Sequence, residues 1–363
     1  MRVHVLDPPA YTPPYDHALC AALARSGVDV ELWTSRFRFG PVPAGAGYQV
    51  HEAFYRRAAR RSRGRRALGL AEHVPDMLAW RRAARGADLA HLQWLTLAPL
   101  DRLLLPRRTR LVLTAHDVLP REPRPGQAAA ARRLLRTVDA VVVHSEHGAR
   151  RLEREAGVSP ERIEVIPHGA FDYLTRLPEE RALPPELAGV EGPVVLLFGL
   201  IRPYKGVDVL LEAFREVEGA ELWIVGMPRM PVEGLVALGA RARGTVRWIP
   251  RFVTDPEVPA LFRRADLVVL PYREIDQSGV LYTALAFGKA LVLSAVGGFP
   301  EVGAGRLVPP GDPAALAAAL RELLADPAAR AVLAAEARAA AAGPYAWDTV
   351  AARTRGLYER LLA

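Results

Sequence analysis

The sequence predicts an α/β protein made of two doubly wound domains, and three observations support this fold class. A chain of 363 residues, half of them apolar, is long enough for two domains with a core each. Short apolar segments typical of buried strands alternate with segments of helical period, which favours parallel sheets. The alternation lapses once, over residues 177–192, and then begins again. We therefore expect two similar domains in succession.

The first half opens with a strand, a helix that Gly27 is expected to end, and a second strand. Further strands and helices then alternate along the chain. The predicted strands are 2–6, 28–33, 89–92, 111–114, 140–144 and 163–166, and the predicted helices are 16–25, 127–137 and 146–156.

The second half repeats this pattern. Its predicted strands are 194–198, 221–225, 246–249, 267–270, 291–294 and 307–308, and its predicted helices are 207–214, 232–242, 257–264 and 280–287. Asp312 followed by Pro313 is typical of a helix N-cap with proline in the first turn, and it predicts an alanine-rich helical tail to about Ala363.

These patterns define the expected domains. They are an N-terminal domain at 1–176, an interdomain linker at 177–192, a C-terminal domain at 193–345 and a last helix at 346–363 that could pack back on the N-terminal domain. Ligands of doubly wound sheets bind beyond the carboxyl ends of the strands. We therefore expect two facing domains with a ligand cleft between them.

Arginine dominates the charged residues. The chain has 46 arginines, only two lysines (Lys205 and Lys289) and a formal net charge of +8, which suits phosphorylated small molecules, an anionic membrane surface or nucleic acid. No apolar stretch approaches the roughly 18 residues of a membrane span, and no signal peptide is recognisable at the start. The single Cys20 forms no disulfide within the chain. These features predict a cytoplasmic protein.

Several phosphate-binding and metal-binding patterns are absent from the sequence. No glycine fingerprint follows Leu6, as a dinucleotide-binding enzyme would require, and Gly288-Lys289 lacks the other residues of a phosphate-binding loop. No two aspartates lie two residues apart to hold a divalent cation. We therefore expect no metal and no cofactor, and phosphate binding by cationic side chains and helix ends.

Two loops contain the candidate phosphate-binding residues. The first follows the strand 194–198 and includes Gly199, Arg202, Lys205 and Gly206. Arginine and lysine at a strand end could together neutralise a diphosphate without a metal. For Arg202, the alternative is a solvated position in a basic loop.

The second loop runs from Asp276 through Gln277, Ser278, Gly279 and Val280 into an apolar helix. Backbone N–H groups and the helix dipole attract phosphate oxygens at such a helix start. The alternative is an ordinary helix start that Ser278 caps.

Together these stretches resemble the C-terminal nucleotide-sugar-binding domain of the family 4 retaining glycosyltransferases, which have the GT-B fold of two Rossmann-like domains facing a cleft. The matching pieces are Gly199, residues 205–206, residues 286–289 and the turn at 296–301. Residues 114–117, 143–146 and 165–169 resemble the family's N-terminal domain and hinge. The resemblance extends from about Val28 to Leu361.

The resemblance implies an activity and a separate role for each domain. A sugar would pass from a nucleoside diphosphate sugar, bound by the C-terminal domain, to a hydroxyl of a glycan or lipid-linked acceptor, bound by the N-terminal domain. The anomeric configuration would be retained. Arg202, Lys205 and the N–H groups of residues 278–280 would stabilise the charge on the leaving diphosphate, with Gly199 and Gln277 beside them.

The family's pair of glutamates is missing from this chain. Counted back from Gly288, their positions fall on Ile275 and Thr283, and a loop shorter by one residue would bring Asp276 to the first position. The chain resembles a variant with Gln-Ser-Gly-Val in this loop, with Asp276 as a catalytic candidate and Thr283 as a candidate ribose contact. Two alternatives stay open, namely a nucleotide-sugar-binding protein without transfer activity and a sugar-nucleotide epimerase.

Three further residues are site candidates because they follow predicted strands. His116 is expected to face the cleft, where it could hydrogen-bond the donor sugar or an acceptor hydroxyl, or else be a structural histidine. Phe252 and Val253 could lie beside the nucleotide base, or else Phe252 belongs to the core.

Seven arginines lie in the segment from Arg56 to Arg66. This run could contact an anionic membrane, which would hold the protein at the inner membrane face, or an anionic polymer acceptor. The alternative is a solvated loop. Nucleic acid is not expected as a partner, because no binding motif and no interleaved aromatic residues accompany the charge.

Overall fold

The computed structural model describes residues 1–38, 40, 42, 45–60, 64–120 and 125–363. These residues form two compact units. Unit 1 consists of Met1–Gly169 and Trp347–Ala363, and unit 2 of Ala170–Ala346. Each unit has its own parallel sheet covered by helices, so the prediction of two doubly wound α/β domains is confirmed.

The described part of unit 1 contains a seven-stranded sheet with the spatial order β3-β2-β1-β4-β5-β6-β7. The strands are β1 (Arg2–Asp7), β2 (Asp29–Ser35), β3 (Gln49–Phe54), β4 (Leu89–Leu92), β5 (Arg110–Thr114), β6 (Ala140–Val143) and β7 (Ile163–Val165). The helices before residue 170 are α1 (Pro13–Arg25), α2 (Arg65–Ala83), α3 (Ala98–Leu104), α4 (Gln127–Leu135) and α5 (Glu146–Arg151), which a π-helical turn, Leu152–Ala156, continues.

Three of these elements are absent from the sequence prediction, namely β3, α2 and α3. β3 is an edge strand whose side chains are mostly exposed, so its sequence lacks an apolar run. α2 contains Pro75 and buries only three side chains, so its apolar period is weak. The seven residues of α3 are too few to show a helical period.

Unit 2 contains a six-stranded sheet with the spatial order β10-β9-β8-β11-β12-β13. The strands are β8 (Val194–Phe198), β9 (Glu221–Val225), β10 (Thr245–Ile249), β11 (Leu267–Leu270), β12 (Ala290–Ser294) and β13 (Arg306–Val308). The helices are α6 (Val207–Ala213), α7 (Glu233–Gly239), α8 (Val258–Arg264), α9 (Gly279–Ala286), α10 (Pro313–Ala325) and α11 (Pro327–Ala342). Asp312 caps α10 by accepting the Ala315 N–H at 2.9 Å, as the sequence predicts.

The strands of unit 2 separate two apolar layers. In β8, Val194 and Leu196 face one layer while Val195 and Leu197 face the other, and all four are fully buried. This period of two, buried on both faces, is what a central parallel strand requires. Because β8 and β11 are neighbours although far apart in the chain, the strand order reverses between them. The crevice at such a switch point is where open α/β sheets bind ligands.

The chain ends in α12 (Trp347–Leu362), which belongs to unit 1. Its Tyr358 hydroxyl lies 2.6 Å from His91 Nδ1 on β4, and its Asp348 pairs with Arg25 of α1 at 2.6 Å. α12 is thus part of the packing of unit 1 around β4 and α1.

The position of the predicted linker is corrected by the structure. The chain passes from unit 1 to unit 2 between Gly169 and Ala170, and residues 177–192 lie inside unit 2. Leu187 is fully buried there, and Leu177, Leu183 and Val190 also contact the core. These apolar residues follow neither a helical nor a strand period, which is why the sequence predicts a linker here.

Among the described helices, none combines the length and apolar character needed to cross a membrane. All nine histidines of the chain belong to unit 1. Burial lowers the pKa of most of them. The affected residues are His4, His17, His91, His116, His144 and His168, with pKa values of about 4 for His17 and His144 and about 3 for His91.

These histidines make unit 1 sensitive to acid. Below pH 6.5 the histidines bind protons in the unfolded chain but not in the folded unit. The free energy of unfolding therefore falls by about 1 kcal/mol per histidine at pH 5.5. Asp7, Asp16 and Asp76, whose pKa values are raised by burial, oppose this trend, but they are fewer than the six affected histidines. We expect hydrogen exchange, corrected for intrinsic rates, to show weaker protection of β1 to β6 at pH 5.5 than at pH 7.5.

Unit 2 is the internal control for this prediction because it contains no histidine. Its strands β8 to β12 should keep their protection over the same pH range. Equal weakening of both units, or none in unit 1, would contradict the assignment.

Candidate functional site

The first candidate loop begins where β8 ends and brings a lysine into the interior of unit 2. Lys205 ends a 3-10 turn, Pro203–Lys205, and is only 5% exposed. Its Nζ lies 4.9 Å from the ring centroid of the fully buried Tyr272. A cation over an aromatic face is stabilised by the negative face of the ring, and more strongly when water is excluded.

A close backbone approach sets this lysine beside the end of β11. Gly206 has φ +64°, and a Cβ there would lie 2.0 Å from the carbonyl oxygen of Pro271. No side chain fits in that distance, so only glycine allows the two loops to meet.

Arg273 holds the two loops together from the outside. Its backbone N–H donates to the Tyr204 carbonyl at 2.7 Å, and its guanidinium donates to Asp208 at 2.5 and 2.8 Å. A further bond reaches the Pro203 carbonyl at 3.1 Å. The hydrogen bond from Arg273 lowers the pKa of Asp208. These contacts of Arg273 could not be predicted, because no local sequence pattern pairs two charges that lie 65 residues apart.

The second candidate loop leads into α9, whose start lacks a side-chain cap. Ser278 occupies the N-cap position, but its hydroxyl makes no capping bond and lies 3.4 Å from the Tyr272 hydroxyl. The alternative of an ordinary helix start capped by Ser278 is therefore wrong. The first turn also lacks an acidic residue. The positive end of the helix dipole and the first N–H groups are left to attract an anion.

The two loops meet around Gly199. A Cβ on Gly199 would lie 3.1 Å from Lys205 Nζ and 3.0 Å from Val280 Cγ2. Glycine at this position lets the end of β8 lie close to both a buried ammonium group and the first turn of α9. A loop cation and a helix N-terminus thus converge at the switch point of the sheet, which is an arrangement suited to phosphate oxygens.

Comparisons with known proteins identify the family. The model for Glycosyltransferase Family 4 matches residues 15–170, and the model for Glycosyl transferases group 1 matches residues 192–326. The chain belongs to the group 1 glycosyltransferases. The resemblance seen in the sequence is confirmed at this level, and its Gln-Ser-Gly-Val variant stays a prediction.

Individual relatives agree with this assignment. GDP-mannose:glycolipid 4-beta-D-mannosyltransferase of Xanthomonas campestris pv. campestris is 33% identical over 192 residues, 51% of this chain and 50% of that protein. The match thus spans about half the length of that relative. D-inositol 3-phosphate glycosyltransferase of Kineococcus radiotolerans is 28% identical over 94% of this chain and 88% of that protein.

The fold also matches solved glycosyltransferase structures. Sucrose-phosphate synthase from Thermosynechococcus elongatus superposes with a TM-score of 0.75 at 21% identity, covering 99% of each chain. The GT-B class predicted from the sequence is confirmed.

The remaining loop residues of this glycosyltransferase differ in their surroundings. Asp276 is buried at 5% exposure, while Gln277 is half-buried and its Oε1 has no hydrogen-bond partner among the described residues. A buried acceptor without a partner is available to a ligand hydroxyl. A Cβ on Gly297, whose φ is +57°, would lie 1.8 Å from the Ile275 carbonyl oxygen, so the 296–301 turn packs directly against this loop. Arg202 is half-buried and makes no ion pair within the described part of the chain.

The candidates for base and ribose contact lie in different environments. Phe252 is 42% exposed, so the alternative of a core role is wrong, whereas Val253 belongs to the core of unit 2. Thr283 is buried in α9, and its hydroxyl donates to the Gly279 carbonyl at 3.0 Å. Its oxygen can therefore only accept a hydrogen bond from a ribose. The contacts of all three with a nucleotide stay predictions.

His116 belongs to unit 1, where both of its ring nitrogens have partners. Nδ1 lies 3.3 Å from His144 Nε2, and Nε2 lies 3.0 Å from the side-chain amide of Gln93. The ring also stacks on Trp94 with centroids 5.0 Å apart. Burial and the neighbouring histidines hold its pKa well below the usual range, so the imidazole is neutral.

The hydrogen bonds of the neutral histidines fix their protons. His144 Nδ1 donates to the Ile166 carbonyl at 2.9 Å, so its Nε2 accepts from His116 Nδ1. The atom 3.0 Å from His116 Nε2 is Gln93 Oε1, which is also an acceptor, so this arrangement requires the Gln93 amide to turn and bring its unpaired NH₂ group to Nε2. This arrangement favours a structural role, and catalysis by His116 stays a prediction.

The two lysines allow a matched test of the site. Replacing Lys205 by Met keeps the volume of the side chain and removes the charge next to Gly199. We expect Lys205→Met to fold, to weaken nucleoside diphosphate binding at least tenfold in calorimetry and to lower turnover about 100-fold or more.

Lys289→Met is the control because this lysine precedes β12 at the opposite edge of the sheet. Its Nζ donates to the carbonyls of Arg263 and Ala265 at 2.9 Å each, which is a structural role. This variant should lose about 1–3 kcal/mol of stability and keep its nucleotide affinity. Equal effects of both variants on binding would refute the site.

Proposed function

We propose that the protein is a retaining glycosyltransferase that moves a sugar from a nucleoside diphosphate sugar to an acceptor hydroxyl. The observation that supports this most directly is the convergence of Lys205 Nζ and the first turn of α9 around Gly199. The diphosphate of the donor would bind beside this glycine, in contact with the uncapped start of α9 and with the ammonium group.

The site suits the charge that develops during transfer. As the bond between the anomeric carbon and the diphosphate breaks, negative charge accumulates on the leaving oxygen. Lys205, Arg202 and the backbone N–H groups of α9 would stabilise that charge, and no reorganisation is needed because the loops are already held by Arg273. Removing one such preorganised group typically costs about 10²–10³ in rate.

Retention requires the acceptor oxygen to arrive on the face that the diphosphate leaves. In our proposal the acceptor hydroxyl gives its proton to the leaving phosphate oxygen as the new bond to the anomeric carbon forms. Asp276 would lie beside the sugar and stabilise the positive charge on its ring. Its burial supports this role, since a carboxylate interacts more strongly with a nearby charge when water is excluded.

The relatives suggest which donor to test first. The Xanthomonas relative is named for GDP-mannose and a glycolipid, and another relative is an MMP alpha-(1->4)-mannosyltransferase of Mycolicibacterium hassiacum. GDP-mannose with a lipid-linked glycan is therefore our first donor and acceptor pair.

A thermal-shift panel of GDP, UDP, ADP and dTDP tests the donor site. We expect one of the four to raise the melting temperature of wild type and to lose this effect in Lys205→Met. No shift with any of them would refute the proposal.

Transfer itself is tested with the matching sugar nucleotide and an acceptor, followed by proton NMR of the product. Retention predicts the anomeric configuration of the donor. Binding without release of the nucleoside diphosphate would favour a binding protein, and conversion of the donor without acceptor would favour an epimerase.

Contact of the Arg56–Arg66 run with an anionic membrane at the cytoplasmic face stays a prediction. Arg56 and Arg57 precede the 3-10 turn Ala58–Arg60, and Arg65 and Arg66 begin α2. Arg61 and Arg63 lie outside the described residues. Co-sedimentation with vesicles should then require anionic lipid and should decrease in high salt.

A further inference from the structure

Unit 1 contains a cavity of about 350 Å³ at the carboxyl edge of its own sheet. The lining residues follow the ends of β1, β2, β3 and β4 or lie at the start of α2. Apolar groups from Pro9, Ala10, Phe37, Ala58 and Leu70 form much of the wall. Carboxyl edges of parallel strands are where α/β units bind ligands, and this cavity is separate from the loops around Gly199.

The charged side chains that line this cavity are arginines. Arg36 and Arg38 line it after β2, and Arg65 and Arg66 line it from the start of α2. Within the described residues, the lining includes no carboxylate, and none of the four guanidinium groups makes an ion pair or a hydrogen bond. Elsewhere in the described chain many arginines pair with Asp or Glu, as Arg273 does. Four cations without a carboxylate among the described lining residues repel each other and attract an anion.

The start of α2 adds to this preference for an anion. α2 has 19 residues, Gly64 at its N-cap provides no side-chain cap, and its first turn contains arginines without an acidic residue. Cations at the positive end of a helix dipole are unfavourable in isolation. A bound anion would neutralise both the arginines and the helix end.

Backbone strain is concentrated at the same cavity. Among the described residues, the two non-glycine residues with positive φ are Ala10 at +49° and Tyr55 at +53°, and both line it. Such conformations cost of order 1 kcal/mol or more and are found preferentially at functional sites.

A buried chain of hydrogen bonds ends in the cavity. Asp101 Oδ1 lies 2.5 Å from His73 Nε2, and His73 Nδ1 lies 2.7 Å from the Tyr55 hydroxyl. The Tyr55 oxygen in turn lies 2.9 Å from Thr96 Oγ1. Tyr55 and Thr96 both line the cavity. The cavity therefore offers cations for an anion and hydroxyl groups for further hydrogen bonds.

We infer that this cavity binds a phosphate ester group of the acceptor, held by Arg36, Arg38, Arg65 and Arg66. The inference rests on the proposed function, because it names the chemical class of the acceptor. Arginine suits this task, since its planar fork can donate two hydrogen bonds to a phosphate.

A second cavity adjoins the first and is larger. It has a volume of about 790 Å³ and shares Pro9 and Thr96 with the first cavity. Trp94, Leu95 and Leu97 are among its walls. A phosphate ester could come from a water-soluble sugar phosphate or from a lipid phosphate, and the apolar space would take the hydrocarbon of the lipid.

Calorimetry on the full chain with glucose 6-phosphate, geranyl phosphate and uncharged geraniol tests the inference. We expect at least one phosphate to bind and geraniol to bind at least tenfold more weakly. Tighter binding of geranyl phosphate would indicate a lipid phosphate, and tighter binding of glucose 6-phosphate a soluble one. Failure of both phosphates to bind would overturn the inference.

Two charge-removing double variants locate the bound phosphate. Arg65→Gln/Arg66→Gln and Arg36→Gln/Arg38→Gln alter exposed lining residues of two different segments, and each should weaken phosphate binding at least tenfold. The control Arg82→Gln/Arg85→Gln removes the same charge near the other end of α2 and should change binding less than twofold. Similar losses in all three variants would show general electrostatic attraction and overturn the assignment.

Binding of the nucleoside diphosphate is measured in parallel, because it reports on the loops of unit 2. If the nucleotide binds and the phosphates do not, the inference fails while the proposed function stands. If the nucleotide does not bind, the proposed function fails whatever the phosphates do.

Discussion

The candidate donor site depends on one steric constraint, the approach of Gly206 to the Pro271 carbonyl. A Cβ at 2.0 Å from that oxygen is impossible, so any side chain at 206 would push the β8 loop away from the β11 loop. With the loops apart, Lys205 would leave the Tyr272 ring and Arg273 would lose its bonds to Tyr204 and Asp208. The order of the strands brings the two loops to one edge, and this contact then fixes their distance.

The two candidate sites share the same physical means of attracting an anion. In each, cations stand at the carboxyl edge of a parallel sheet beside a helix whose start has no side-chain cap. The cations in unit 2 are the buried Lys205 and the half-buried Arg202, and desolvation would increase the strength of the interaction of Lys205 with a diphosphate. The cations in unit 1 are four exposed arginines, which suit a ligand that enters from water and leaves again.

Most of the fold followed from the sequence because central strands are buried on both faces. The bounds of β8, β9 and β11 agree with the prediction residue for residue. Edge strand β3 and the weakly apolar α2 lack that signal. The cavity of unit 1 could not be predicted either, because the start of α2 forms part of its wall. Lys205 was found because lysine is rare in this chain. Arg273, Tyr272 and the hydrogen-bond chain behind Tyr55 were missed, since contacts between distant residues leave no local pattern.

The return of α12 to unit 1 has a consequence for synthesis on the ribosome. Unit 2 is continuous in sequence and is complete once residue 346 has left the exit tunnel, whereas unit 1 gains its last contacts, such as that of Tyr358 with His91, only when α12 has been made. Unit 1, whose synthesis begins first, therefore completes its folding last. A nascent chain that stalls shortly before its end would carry a complete unit 2 beside an unfinished neighbour whose α1 face is still open to water.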